Sequence, residues 1–261
     1  MTPPPPATQK TTPTSPAADD QEGGVSLTMS TGLDYSSGKY GGKLSTDILV
    51  GLTDITLTAG NFQFSAGLPY LNISGPAYVV VGAGGVPVII NPARGSDTTV
   101  RDGWGDLNIS ATYSVQPEDL YGFEADLTGG AKIATADASK GLSSGESDFG
   151  FSVDVLRQID NWTPFVTFGY RVPGSPRAYT LNSSPSFSVG TSVQFDEKLL
   201  AIVSYDFDGT ISKSLADSQQ LFGSLSWVFN DSLTLTAYAE LGMSSGAPSQ
   251  GTGLLLGWKV P

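Results

Sequence analysis

The chain has 261 residues, with 13 Lys plus Arg against 25 Asp plus Glu and a formal net charge of −12. This balance does not suit nucleic-acid binding, because phosphate recognition needs clustered basic side chains. The sequence contains no Cys and no His, which argues against disulfides, a zinc site and Ser-His catalysis. We therefore predict a protein that is not an enzyme and that uses no cofactor and no metal.

The first predicted element is an unfolded N-terminal segment. Residues 1–24 are rich in Pro and Thr, include the run Pro3–Pro6, and end in an acidic stretch. Such a segment offers too little apolar surface to fold on its own. It also lacks the apolar core of a secretory signal peptide. We predict a disordered tether over 1–24, with a signal peptide absent from this chain.

From Val25 onward, apolar and polar residues alternate in short segments bounded by turn residues. In Leu233–Leu241, for example, Leu, Leu, Ala, Ala and Leu occupy one parity, while Thr, Thr, Tyr and Glu occupy the other. Because successive strand side chains point to opposite faces, each segment has one apolar and one polar face. We predict twelve strands, at Val25–Tyr35, Thr46–Leu57, Phe62–Tyr70, Asp106–Val115, Tyr121–Ile133, Asp148–Leu156, Thr163–Val172, Phe187–Phe195, Leu199–Phe207, Leu221–Phe229, Leu233–Leu241 and Thr252–Val260.

One of these strands departs from the pattern. In Thr46–Leu57, the residues Ile48, Leu49, Val50 and Leu52 break the alternation. A β-bulge, which inserts one extra residue into a strand, would explain the break. We predict a bulge there.

The connections between predicted strands alternate strictly in length. Five are short, at Thr58–Asn61, Gln116–Leu120, Arg157–Trp162, Asp196–Lys198 and Asn230–Ser232. Six are longer, at Ser36–Ser45, Leu71–Gly105, Ala134–Ser147, Pro173–Ser186, Asp208–Gln220 and Gly242–Gly251. Outer-membrane barrels have short periplasmic turns and long external loops. The alternation therefore predicts a barrel whose two termini, and the tether, lie on the periplasmic side.

Aromatic residues cluster at the strand ends. Tyr35, Tyr70 and Tyr170 lie beside long loops, whereas Trp227 and Trp258 lie beside short turns. Two such belts are typical of the girdles of a membrane barrel. No run of 18 apolar residues exists for a membrane helix, but a barrel strand needs only about 9–11 residues with alternate positions apolar. A soluble barrel with an apolar interior is the alternative, and it would pack these aromatics centrally.

We therefore predict an all-β fold, a transmembrane antiparallel up-and-down β-barrel of about twelve strands over residues 25–261. The predicted location is the bacterial outer membrane, which implies contact with membrane lipid and insertion by the barrel-assembly machinery. The oligomeric state is left open.

If the apolar parity faces lipid, the polar parity lines the interior. The polar parity contains seven acidic residues, including Asp34, and three basic residues, including Lys259. The excess of acids predicts that cations or neutral solutes pass better than anions. Alternatively, the charges pair into a ladder that fills a narrow lumen. The predicted pore-lining residues are Asp106, Glu124, Asp126, Lys132, Asp154, Arg171, Asp206 and Glu240, with Lys132 and Arg171 expected to pair with acids.

The long connection Leu71–Gly105 has an unusual composition. Two apolar runs, Tyr78–Val81 and Val86–Ile90, flank a glycine-rich stretch, which predicts a hairpin with a glycine turn. The hairpin could fold inward as a constriction or stand above the membrane. The glycines also resemble the start of a dinucleotide fingerprint, but Pro87 replaces its last glycine and no helix pattern follows.

Three short motifs give the chain a family resemblance. They begin at Leu68-Pro69-Tyr70-Leu71, Gly103-Trp104-Gly105-Asp106 and Lys132-Ile133-Ala134-Thr135, and Gly141–Gly145 matches a glycine-rich loop. Together they resemble bacterial outer-membrane proteins of the putative MetA-pathway of phenol degradation, over roughly Val25 to Val260. The chain departs from that family at Ala134, where Pro is usual. The resemblance implies transport of small hydrophobic or aromatic molecules across the outer membrane.

Together these features predict a channel for passive passage of small solutes through a narrow, acid-lined lumen. The alternative is a structural or adhesive barrel with a closed lumen, whose external loops bind a partner.

Overall fold

The computed structural model describes residues 24–40, 43–76, 79–81, 87–89, 98–174, 181–211 and 216–260. All but the last residue of the predicted tether 1–24 lies outside these ranges.

The alternating segments form antiparallel strands that follow one another along the chain. The first eight are β1 (Val25–Gly38), β2 (Thr46–Ala59), β3 (Phe62–Gly67), β4 (Tyr70–Pro76), β5 (Val79–Val81), β6 (Pro87–Ile89), β7 (Thr98–Trp104) and β8 (Leu107–Val115). The others are β9 (Glu124–Ile133), β10 (Asp148–Leu156), β11 (Trp162–Val172), β12 (Ser184–Gln194), β13 (Leu199–Asp208), β14 (Ser218–Asn230), β15 (Leu233–Gly242) and β16 (Gln250–Val260). A short 3-10 helix covers Ala138–Lys140.

The main sheet closes on itself, because β1 pairs with both β2 and β16. β3 and β4 lie end to end beside β2, and β7 and β8 form the next wall position in the same way. β3 followed by β4 therefore spans the barrel as one strand, and so does β7 followed by β8. The result is a closed antiparallel barrel of twelve strands, which confirms the predicted fold class. Closure gives the full-length strands a partner on both sides, whereas β7 pairs with β4 alone among the described strands.

Irregularities in the described barrel wall are not where the sequence predicted one. At the turn end of β14 the register shifts, because Val228 pairs with Thr234 and Asn230 pairs with Leu233. β2 pairs with β1 in one unbroken register from Val25 opposite Ala59 to Gly38 opposite Thr46, so the predicted bulge in Thr46–Leu57 is wrong. An extra residue lies instead between β7 and β8. Asn108 pairs with Gly67, whereas Trp104 pairs with Tyr70, so the β7–β8 side holds one more residue than the β3–β4 side.

The predicted single connection Leu71–Gly105 is also partly wrong. Its two ends continue the barrel strands, because β4 pairs with β7 from Tyr70 opposite Trp104 to Pro76 opposite Thr98. Between them, β5 and β6 pair antiparallel, with Val79 opposite Ile89. The pairing confirms the predicted hairpin, although its glycine turn lies outside the described residues.

The barrel has two distinct ends. The turn end carries the short connections 60–61, 116–123, 157–161, 195–198 and 231–232, and the loop end carries the long ones 39–45, 77–97, 134–147, 173–183, 209–217 and 243–249. β1 starts and β16 finishes at the turn end. The predicted assignment of each connection to one end of the barrel is therefore confirmed. The strict alternation in length is not, because the turn-end connection 116–123 has eight residues and the loop-end connections 39–45 and 243–249 have seven each.

The outward face of the barrel is apolar. Mid-wall side chains such as Phe151 and Leu254 are 64% and 54% exposed. Exposed aromatics lie toward both ends, Trp227 and Trp258 at the turn end and Phe149 and Tyr170 at the loop end. A continuous apolar surface of this kind must be covered by something other than water. Within the described residues, no helix is long and apolar enough to cross a membrane.

Candidate functional site: the barrel interior

The interior contains a cavity of about 790 Å³. Its wall runs from turn-end residues such as Asp231 and Lys259 to loop-end residues such as Asp148 and Leu142. Volumes of this size are typical of sites for small molecules. The cavity is therefore the candidate site.

Most of the predicted interior residues border this cavity. Asp106, Asp126, Lys132, Asp154, Arg171 and Asp206 are among its lining residues. Glu240 is almost fully buried on β15 and Glu124 is partly buried at the start of β9, and neither borders the cavity. Whether any of the eight acts on a solute stays a prediction.

Three of the cavity-lining aspartates accept hydrogen bonds from hydroxyl groups on neighbouring strands. Ser114 donates to Asp126 and Thr167 donates to Asp154, each at 2.5 Å. Ser188 donates to Asp206 as well. A carboxylate held by a hydroxyl is fixed in position and still presents acceptor sites. The interior therefore holds three carboxylates in fixed positions around the cavity.

At the loop end, Lys132 joins two carboxylates. Its ammonium nitrogen lies 2.9 Å from Asp106 and 2.8 Å from Asp148, and all three side chains are at most 6% exposed. The strand register explains the meeting, because Lys132 is directly opposite both Asp148 on β10 and Asn108 on β8. We call these three residues the Lys132 cluster. It confirms the predicted pairing of Lys132 with acids.

The Lys132 cluster also holds connecting segments in place. Asp106 accepts hydrogen bonds from the backbone amides of Thr135 and Ala136, both at 2.9 Å, and from the Ser143 hydroxyl. Asp148 accepts one from the amide of Gly174 at 2.7 Å. Charge-assisted bonds of this kind are roughly twice as strong as neutral ones. The cluster thus anchors the segment 134–147 through Thr135, Ala136 and Ser143, and the segment 173–183 through Gly174.

The same segment places an apolar side chain inside the barrel. Leu142 is 2% exposed and packs in a cluster with Tyr40, Ile48, Val50 and Ile73. Ile48 and Val50 point inward from β2 and Ile73 points inward from β4, while Tyr40 comes from the connection 39–45. Burial raises the pKa of the Tyr40 phenol, so this side chain stays neutral. The loop end of the interior is therefore closed in part by the connections themselves.

A second group of rings lies on the opposite side of β1. Phe222 on β14 and Tyr238 on β15 are both buried, with ring centroids 5.8 Å apart. The Tyr238 hydroxyl donates to Asp34 at 2.7 Å. Gly253 on β16 makes room for this ring, since a Cβ there would lie 2.3 Å from it.

Arg171 lies 3.1 Å from Asp208, which confirms its predicted pairing with an acid.

Sequence reasoning missed several interior residues. Asp148 and Asp208 share the inward parity of their strands with Asp154 and Asp206, so extending the alternation by one strand step would have found them. Ile48 and Val50 were read as a bulge because an inward apolar side chain was not expected. Leu142 lies in a connection, and no periodicity marks it. Among the described residues, no group of three or more potential ligands could hold a metal ion.

A closed barrel with an apolar outward face and an interior cavity bordered by charged side chains defines a transmembrane β-barrel. Similar structures share this fold at low identity. The COG4313 outer membrane channel from Pseudomonas putida F1 matches with a TM-score of 0.66 and 10% identity, over 90% of this chain and 95% of that one. The translocator domain of autotransporter NalP from Neisseria meningitidis gives 0.54 and 11%, over 93% and 90%.

The KdgM porin gives a TM-score of 0.52 and 7% identity, over 90% of this chain and 98% of that one. No protein-family model matches the sequence, and no curated protein matches it either. At these identities the likeness concerns the fold.

Proposed function

We propose that this protein is a bacterial outer-membrane channel through which small solutes pass passively, and that it is not an enzyme. The observation that supports this most directly is a cavity of about 790 Å³, bordered by charged, polar and apolar side chains, inside a barrel with an apolar exterior. Two of the similar structures are an outer membrane channel and a porin, which supports the same class of function. In this proposal the turn end faces the periplasm and the loop end faces outward.

The charges around the cavity favour cations over anions. Eight aspartates and three basic side chains border it. Because the surrounding wall has a low dielectric constant, the field of these groups is focused along the lumen. We assign the pore wall to Asp106, Asp126, Lys132, Asp154, Arg171 and Asp206, with Glu124 and Glu240 adding negative potential from positions outside the cavity wall.

The narrow part of the path lies at the loop end. Leu142 and Tyr40 are buried there within the barrel mouth, and the Lys132 cluster holds the segment 134–147 in that position. Solutes would pass between this segment and the barrel wall. The conductance of a single channel is therefore expected to be small.

The experiment is a planar-bilayer recording on folded, purified protein in a KCl gradient. We expect small single-channel currents with a reversal potential of the sign that K⁺ selectivity gives. Heat-modifiable migration in a detergent gel checks that the inserted protein is folded. A folded protein that gives no current, or one that prefers Cl⁻, would contradict the proposal.

The family resemblance extends the proposal to small hydrophobic or aromatic solutes. Inward apolar side chains such as Leu52, Leu71 and Phe222 border the cavity and support this extension. The other proposed partners are membrane lipid on the outward face and the barrel-assembly machinery during insertion. The tether 1–24 would then lie in the periplasm.

A second candidate function is a structural or adhesive barrel with a closed lumen. The burial of Tyr40 and Leu142 in the barrel mouth favours it. Deleting residues 77–91, which include the β5–β6 hairpin, separates the two functions. Loss of surface binding with no effect on permeation would favour adhesion, whereas altered permeation alone would favour the channel.

A further inference from the structure

One side of the cavity wall carries large apolar side chains among smaller polar ones. Leu52 and Leu71 border the cavity from β2 and β4, and Phe222, Tyr238 and Leu255 border it from β14, β15 and β16. Around the closed barrel these strands are consecutive, with only β1 and its small interior residues between β16 and β2. We call these five residues the apolar stripe.

Two glycines allow the apolar stripe to be continuous. A Cβ on Gly253 would lie 2.3 Å from the Tyr238 ring, and one on Gly32 would lie 2.6 Å from a methyl group of Leu255. Neither position could hold a larger residue without moving its neighbour. The missing side chains let Tyr238 and Leu255 lie flat across β16 and β1, so that apolar surface extends from β14 to β4.

The remaining arc of the wall, from β8 to β13, is acidic. Its cavity-lining members include Asp106, Asp126, Asp148, Asp154 and Asp206. Around the whole cavity, eight aspartates and three basic groups leave a formal excess of five negative charges, whichever groups pair with one another. The cavity thus has one side that carries the apolar stripe, with Asp54 on β2 beside it, and another side that carries most of the acidic groups.

This division narrows the class of solute. An inorganic cation gains nothing from an apolar wall, since it prefers oxygen ligands. A purely apolar solute would have to displace water from charged groups without replacing their hydrogen bonds. A molecule with both an apolar body and a positive charge can satisfy both walls at once. About 790 Å³ is ample space for such a molecule.

We propose that the cavity selects small amphipathic organic cations, such as primary ammonium compounds with an aromatic or aliphatic body. The body lies on the apolar stripe while the ammonium group faces the acidic arc. This inference deepens the proposed channel function and rests on it.

The test is block of the K⁺ current by four probes added to the bilayer chamber: benzylammonium, methylammonium, benzoate and benzyl alcohol. Benzylammonium has both features, methylammonium only the charge, and benzyl alcohol only the body. We expect benzylammonium to interrupt the current at a concentration about tenfold lower than methylammonium or benzyl alcohol, because only it gains from both walls. Benzoate is expected to be the weakest blocker.

Paired variants separate the two contributions. Leu52→Thr with Leu255→Thr should remove the advantage of benzylammonium over methylammonium. Asp154→Asn with Asp206→Asn should remove its advantage over benzyl alcohol. The controls make the same changes away from the cavity, with Leu225→Thr on the outward face and Asp160→Asn in a turn. Gel migration confirms folding of each, and if the Thr pair fails to fold, Phe222→Leu replaces it.

The outcomes distinguish this inference from the channel function. A K⁺ current that benzylammonium and methylammonium block equally would overturn the solute class and leave the channel in place. Preferential block by benzoate would do the same. A folded protein without any current would overturn both. Selective block by benzylammonium that each cavity variant weakens, and neither control variant changes, would support the inference.

Discussion

Replacing Lys132 by Met would test how the loop end is held. The substitution keeps an unbranched side chain of similar length and removes the ammonium group. Asp106 and Asp148, which are 6% and 4% exposed, would then face each other in the barrel without their shared cation. Removing one partner of a buried pair costs about 3–5 kcal/mol, most of it from the charge left behind.

Other bonds reduce this cost. Asp106 keeps the amides of Thr135 and Ala136, and Asp148 keeps the amide of Gly174. We therefore expect a loss at the lower end, about 3 kcal/mol, which is roughly a hundredfold change in the folding equilibrium. Because the segment 134–147 is anchored there, we also expect larger and noisier single-channel currents.

The measurements are urea unfolding in lipid vesicles, followed by tryptophan fluorescence, and bilayer conductance. Lys259→Met is the matched control, because Lys259 also borders the cavity but is exposed at the turn end. Adding Asp106→Asn and Asp148→Asn to Lys132→Met should recover part of the stability, since the uncompensated charges are then gone. Equal stability of the Lys132 and Lys259 variants would refute this account of the Lys132 cluster.

Three further predictions concern other parts of the barrel. Gly253→Ala should destabilise the fold by about 1–3 kcal/mol in urea unfolding by displacing the ring packed against it, whereas Gly257→Ala on the same strand, with its nearest atom at 3.9 Å, should be nearly neutral. Phe151→Arg should lower the free energy of unfolding in vesicles by about 2–4 kcal/mol if that side chain contacts lipid. Tyr121→Arg, at a turn residue that is 96% exposed, should lower it by no more than about 1 kcal/mol. Equal losses would contradict the lipid-facing assignment. The Ser139 hydroxyl and nearby amides hold the pKa of Asp137 below its usual value. The contribution of Asp137 to the order of its turn should therefore be present above about pH 4 and lost as the pH falls through the lowered pKa. Hydrogen exchange of this turn should rise over that pH range in the wild type but not in Asp137→Ala.

The wall of the barrel could be predicted from the sequence because its two faces meet different surroundings. Alternation at Phe149–Val155 and Leu233–Leu241 determines which side chains point outward, and a closed up-and-down order follows from the lengths of the connections. The inward parity likewise identified Lys132 and Arg171 as neighbours of acids. These properties are local or depend on adjacent strands, so one sequence suffices.

The parts that could not be predicted depend on contacts between distant segments. Leu142 enters the barrel from a connection, and its partners Tyr40 and Ile73 lie far away along the chain. Arg101 and Gly103 of β7 are the less exposed positions at odd numbers, whereas Asp106 and Asn108 have the opposite parity, because an extra residue lies between β7 and β8. No periodic pattern records either event.

In β2, the strand whose sequence breaks the alternation, local alternation and contacts with a distant segment act together. β2 keeps a regular register along its whole length, so Ile48 and Val50 face inward with no distortion of the backbone. They are apolar because Leu142 packs on them, while Leu49 on the other parity is 43% exposed on the outer face. A run of apolar residues in a barrel strand therefore has two physical origins, a bulge or an internal apolar contact. The pairing register distinguishes the two origins. A bulge shifts the register by one residue, whereas an internal apolar contact leaves the register with both neighbouring strands unchanged.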